Sequence, residues 1–227
     1  MIPITLAPEP ERFDARIRRP GVLALHERIG RPPPIPRTGG RACERIEGIE
    51  RFEDLRPEHF PSYWTEALND LMGAYRRVCA YCCFAIHPIT GARSVDHMLP
   101  MSERWDRVYE WDNYRLSAGR LNARKNDYQE VIDPFEVGDD WFEMEFVAFQ
   151  LRPPEHLPAA IRERVQATIT RLGLNDHMMC SARESDYTDY ATGEISFAVL
   201  TRESPLVARE VIRTGRLRPE DAPTPAR

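Results

Sequence analysis

The chain has 227 residues, 42% of them hydrophobic, enough to bury a core in one domain or a domain with appended helices, which excludes disorder throughout. No apolar run approaches the roughly 18 residues that span a bilayer, and no basic-then-apolar leader opens the N-terminus, so a cytoplasmic protein without membrane contact is expected. A net charge of −5 argues against broad, sequence-independent DNA binding, because affinity for phosphate grows with the cations presented, and any nucleic-acid surface has to be local.

In chain order, residues 1–60 read as an extended arm rich in Pro, Arg and Gly. Arg31-Pro32-Pro33-Pro34-Ile35-Pro36 favours polyproline geometry, and Gly39-Gly40 a flexible break. From Ser62 to Tyr75, Trp64, Leu68, Leu71, Met72 and Tyr75 recur at helical spacing and predict an amphipathic helix. Phe84–Ile86 and Arg93–His97, separated by Pro88 and Gly91, are expected to pair as a hairpin that carries Asp96 and His97 at its exit. Pro100 to Trp111 reads as a loop, and Tyr114 to Asp127 has helical composition. Residues 61–135 thus form a core of two strands, a loop and a helix, with a preceding helix. Beyond it, Phe142, Met144 and Phe146 alternate with Glu143 and Glu145 as a strand. Helices follow around Ile161–Leu172, between Pro158 and Gly173, and over Leu206–Thr214 before Gly215. The last residues, with Pro219, Pro223 and Pro225, are expected to fray. The fold class is α+β, with 136–227 a strand plus helical elements packed on the core.

Cysteines stand at 43, 79, 82, 83 and 180, an odd number that does not suggest a disulfide framework. Of 31 basic residues only Lys125 is a lysine, and it stands three residues after Asn122, which marks it as part of a site rather than a compositional accident.

The chemistry converges on residues 96–125. Phosphodiester hydrolysis needs an activated water and charge neutralisation on the leaving group. Magnesium takes hard oxygen ligands, one or two of them from protein, and the Asp96 carboxylate and the Asn122 carboxamide oxygen suit it. His97, pointing to the other side of the strand, suits a general base at neutral pH. Asn113 is placed to hydrogen-bond backbone across the loop and so orient His97, while Lys125 is expected to approach the phosphate. Arg104, Arg107, Arg115, Arg120 and Arg124 form the expected phosphate-facing patch. Trp105 and Trp111 read as packing rather than base-stacking residues.

The segment from Cys79 to Asp127 resembles an HNH endonuclease domain with a ββα-metal fold, and its Asp-His, Asn and Asn-x-x-Lys order is similar to the HNH domains of CRISPR effector nucleases. The resemblance implies Asp96 and Asn122 as ligands of Mg2+ (or Mn2+), His97 as general base and Asn113 as a structural residue. Tyr109-Glu110-Trp111-Asp112-Asn113-Tyr114-Arg115-Leu116, with Arg124-Lys125-Asn126-Asp127 and Asp133-Pro134-Phe135, also resembles bacterial HNH proteins encoded beside ATPases in antiphage defence. That implies a DNA-cutting subunit with an ATPase partner, and double-strand cleavage would require a dimer or successive nicks. Many zinc-bearing HNH proteins pair two Cys-x-x-Cys motifs. Cys79 and Cys82 match the first pair, but Ala118 and Leu121 stand where the second would lie, so reduced thiols are preferred to a structural Zn2+, for which His177 and Cys180 are the remaining donors. The rival reading is a noncatalytic nucleic-acid or protein adapter with a zinc knuckle built on Cys79, Cys82, His97 and one more donor, which leaves Asp96, Asn122 and Lys125 without roles.

Overall fold

A computed structural model describes residues 1–37 and 39–222. Helices and two small antiparallel sheets make it α+β. Two compact units emerge, neither contiguous in sequence. One gathers Leu6–Tyr75 and Ala92–Gln129; the other gathers Met1–Thr5, Arg76–Gly91 and the chain from Glu130 on. No helix among the described residues is long and apolar enough to cross a membrane.

In the first unit, the stretch expected as an extended arm is partly helical and contributes core. A helical turn at Asp14–Arg18 runs into α1 (Arg19–Arg28), burying Phe13, Ile17, Leu23 and Leu25. Pro20 stands at the second residue of α1, directly after the helical turn Asp14–Arg18. Gly21 is required by packing: the Tyr109 ring occupies the space a Cβ would need. The Phe13 ring meets Trp111 and Tyr114 edge-on at centroid distances of 5.6 and 5.7 Å, fastening this stretch to the strand region. The expected Ser62–Tyr75 helix forms as a tighter turn, Tyr63–Ala67, followed by α2 (Leu68–Ala74).

The strand β1 (Arg93–His97) forms with the boundaries expected, but its partner is different. It pairs antiparallel with β2 (Tyr114–Ala118), setting Asp96 opposite Arg115 and His97 opposite Tyr114. In the expected partner segment, Ala85 instead bridges to Val78 and donates its N–H to the Glu203 carbonyl at 2.7 Å. The helix expected over Tyr114–Asp127 therefore shortens to α3 (Gly119–Lys125). Nothing in Tyr-Arg-Leu-Ser-Ala forbids helix; burial of Tyr114, Arg115, Leu116 and Ser117 and pairing with β1 decide for strand.

The second unit holds a short hairpin, β3 (Glu143–Met144) with β4 (Leu151–Arg152), in place of the longer Phe142–Phe146 strand expected. Four helices follow: α4 (Ala159–Leu172), α5 (His177–Thr192), α6 (Phe197–Glu203) and α7 (Pro205–Arg213). The Pro158 and Gly173 boundaries of α4 are those expected, and Gly173 takes the left-handed conformation that closes a helix, φ +60°. Glu210, fully buried, pairs with Arg209 at 2.9 Å and Arg213 at 2.7 Å and accepts the Met144 N–H at 3.0 Å, joining α7 to β3. Pro219 starts a short turn, Pro219–Asp221, whereas Pro223 and Pro225 lie outside the described residues.

Candidate active site

Asp96, His97 and Asn122 line one cavity of about 430 Å³ in the first unit. Successive strand residues point to opposite faces, yet Asp96 and His97 both line it, together with Ser94 and Val95 of the same strand. The direct passage from β2 into α3 brings Asn122 back beside β1. Its Nδ2 donates to Ser94 Oγ at 2.6 Å and to the Val95 carbonyl at 3.3 Å. That pattern identifies the remaining amide atom as Oδ1, which has no hydrogen bond among the described residues.

Lys125 is placed differently from the expectation that it approaches phosphate. It is 0% exposed, and its Nζ donates to Asp96 Oδ1 at 3.2 Å and to the His97 carbonyl at 2.8 Å. The ammonium therefore positions the Asp96 carboxylate, itself 2% exposed, and the end of β1. A buried lysine of this kind requires an anionic partner, which Asp96 supplies.

Asn113 acts as a clamp. Its Oδ1 accepts the Leu99 N–H at 2.7 Å, and its Nδ2 donates to the carbonyls of Leu99 at 3.1 Å and Arg107 at 3.0 Å. These bonds close the loop that carries Val108, whose carbonyl receives the His97 ring Nε2 at 2.9 Å. A carbonyl only accepts, so Nε2 carries the proton and Nδ1 holds a lone pair. Asn113 thus touches backbone alone and orients His97 through Val108.

Burial is the main cause that drops the His97 imidazole to a pKa of about 4; the Val108 carbonyl pulls the other way, and the Lys125 ammonium adds to the fall. The ring is therefore neutral at pH 7 and able to accept a proton, but as a weaker base than the unperturbed imidazole expected from the sequence. Because the folded pKa lies below the unfolded value of about 6.5, the contribution of His97 to stability is complete above that pH and is lost as pH falls toward 4. Urea unfolding in EDTA should show wild type losing stability relative to a His97→Gln variant by about 1.4 kcal/mol per pH unit across that window. A constant difference from pH 7 to 4.5 would contradict the assignment.

The expected arginine patch does not assemble at the cavity, since none of its five members lines it. Arg115 is 3% exposed and donates to the carbonyls of Asp112 at 2.6 Å and Tyr114 at 3.0 Å, a structural role. Arg104 is held by Asp106 at 2.7 Å and Arg107 by Asp112 at 2.5 Å. Arg120 is exposed and Arg124 half-buried on α3. Trp111 is packing, as expected, with its indole N–H donated to the Ala7 carbonyl at 2.8 Å, and Trp105 stacks on Phe52 at 4.2 Å.

Of the other lining residues, Trp64, Asn126 and Asp127 have no individual role in the sequence reading, Asn126 and Asp127 entering it only within the Arg124–Asp127 resemblance. Trp64 reads only as a helix face. Asn126 ends α3 at φ +48°, ψ −128°, outside the ordinary range for a side-chain-bearing residue, and its Nδ2 donates to Asp127 Oδ1 at 2.7 Å. The spacing of a helix face does not extend past such a turn, so periodicity alone gives Asp127 no place in the cavity.

The donor set fits a hard divalent ion: the Asp96 carboxylate and Asn122 Oδ1 are oxygen ligands of the number Mg2+ or Mn2+ takes from protein, with the Lys125 ammonium already holding Asp96 Oδ1 at 3.2 Å and no Arg or Lys among the described residues lining the cavity. In the second unit, Cys79 and Cys82 lie together, and the Cys82 thiol is pushed up by its hydrogen bond to Cys79 and by burial. Burial raises Cys83 and Cys180 as well, which favours protonated, unreactive thiols. No group of three or more His, Cys, Asp or Glu that could hold a metal ion gathers among the described residues. His177 is exposed and Cys180 half-buried on α5, where the Cys180 thiol donates to the Asn175 carbonyl at 3.5 Å.

Comparison with protein-family models gives no match to this chain, and comparison with curated proteins gives none.

Proposed function

We propose that the protein is a metal-dependent endonuclease of the HNH, ββα-metal type that hydrolyses phosphodiester bonds, with DNA the expected polymer. The observation that carries this reading is the convergence of Asp96, His97 and Asn122 on one cavity from a β1–β2–α3 unit, with His97 neutral and its Nε2 anchored. Asp96 and Asn122 would hold the divalent ion, which when bound neutralises charge on the phosphate and the departing oxygen. His97 Nδ1 accepts a proton from the attacking water, and the Val108 carbonyl, at Nε2–H, steadies the resulting imidazolium. Lys125 keeps the Asp96 carboxylate aligned, and Asn113 holds the loop that presents Val108. An antiphage complex in which an ATPase partner brings the DNA accords with a cavity lined by no cation among the described residues.

Incubation with supercoiled plasmid and single-stranded circular DNA tests this. Cleavage should require Mg2+ or Mn2+, stop in EDTA, and fall at least about tenfold in Asn122→Ala through loss of metal affinity. Cutting that persists in EDTA, or at the wild-type rate in Asn122→Ala, would remove the metal role assigned to these residues.

A further inference from the structure

The cavity is larger than metal and water require. Its volume falls within the roughly 300–1,000 Å³ typical of small-ligand pockets, a size for one nucleotide rather than the side of a helix. Part of its wall is apolar: Pro57, Trp64 and Pro100 lie beside the catalytic residues. The Trp64 ring stands at 86° to the His97 ring with centroids 5.1 Å apart, adjoining the group that handles the proton. Trp64 is only half-buried, and its indole N–H meets no acceptor among the described residues, whereas Trp111 donates its own to Ala7. Amide and carboxylate groups come from the end of α3, where Asn126 and Asp127 are joined by the 2.7 Å bond. An aromatic plane, a spare N–H donor and a carboxamide–carboxylate pair are the chemistry that recognises a planar heterocycle with hydrogen-bonding edges.

We propose that the cavity seats one unpaired nucleobase beside the scissile phosphate, Trp64 stacking on the base and the Asn126–Asp127 pair meeting its edge, so that the substrate is single-stranded or locally opened nucleic acid; this rests on the nuclease reading above. A base inside an intact duplex is stacked on both faces and presents neither to a tryptophan. The absence of a lining cation among the described residues agrees, because stacking rather than phosphate charge then supplies the grip within the cavity.

The test uses the full chain and a single strand carrying 2-aminopurine, with the same strand fully paired, as DNA and as RNA. Binding is read in Ca2+ by fluorescence quenching and cutting is read in Mg2+. Wild type should quench the unpaired probe and cut it at least about tenfold faster than the duplex, and Trp64→Ala should lose both effects while Trp64→Phe keeps them. Asn126→Gly suits the positive φ and so keeps the fold, but it should weaken single-strand binding severalfold by removing the carboxamide. Equal cutting of duplex and single strand, or unchanged quenching in Trp64→Ala, overturns the proposal. A protein that quenches through Trp64 but cuts nothing retains the base seat and overturns the nuclease reading; one that does neither overturns both.

Discussion

Lys125→Met is expected to lower the stability of the protein by about 3–5 kcal/mol, the usual consequence of removing one partner from a buried ion pair. The ammonium is sealed from water and faces a carboxylate that is 2% exposed, so the pair is little screened by salt. The substitution also strips the His97 carbonyl of its 2.8 Å donor at the point where β1 ends. Converting Asp96→Asn in the same chain removes the stranded charge, and the double variant should recover part of the loss while remaining unable to cut. Urea unfolding of the two single variants and the double one forms a complete cycle, in which a coupling of 1 kcal/mol or more is expected for residues in contact, a value of roughly the size seen in such networks. If Lys125→Met unfolded at the wild-type urea midpoint, the pair would have no role in holding the site.

His97→Ala is expected to reduce single-turnover cleavage by roughly 10²- to 10⁴-fold, the range for loss of a positioned general base. The change leaves Asp96, Asn122 and the Asp96–Lys125 pair in place, so Mn2+ binding should persist while cutting falls. Added imidazole should restore part of the rate by entering the space vacated beside Trp64, a response that a purely structural histidine would not show. Cleavage within severalfold of wild type would assign proton removal elsewhere.

How far sequence determines such a site on inspection depends on the kind of interaction. Arg93–His97 is legible as a strand because its polar and apolar residues lie between turn formers, and α4 is legible because Pro158 and Gly173 punctuate it. Asn113 is legible as a loop clamp because a carboxamide ahead of a regular segment has backbone to bond. The strand Tyr114–Ala118 is not, since its identity comes from pairing with β1 rather than from its own composition. Helix α1 hides among arginines and the Pro20-Gly21 step, and its burial becomes evident only when Phe13 meets Trp111 and Tyr114. Lys125 is legible as part of the site but not in its orientation, because the general tendency of lysine toward solvent is overridden by one buried carboxylate. The arginines mislead for a related reason: acidic neighbours in sequence, Asp106 and Asp112, engage Arg104 and Arg107.

The sealing of Lys125 also determines how the protein meets amine chemistry. Every other one of its 31 basic side chains is a guanidinium, so the folded surface displays no lysine to acylating reagents, amine cross-linkers or lysine-modifying enzymes. Reaction at Lys125 requires the strand end and α3 to part, and its rate therefore counts openings of the site against a background free of other lysines.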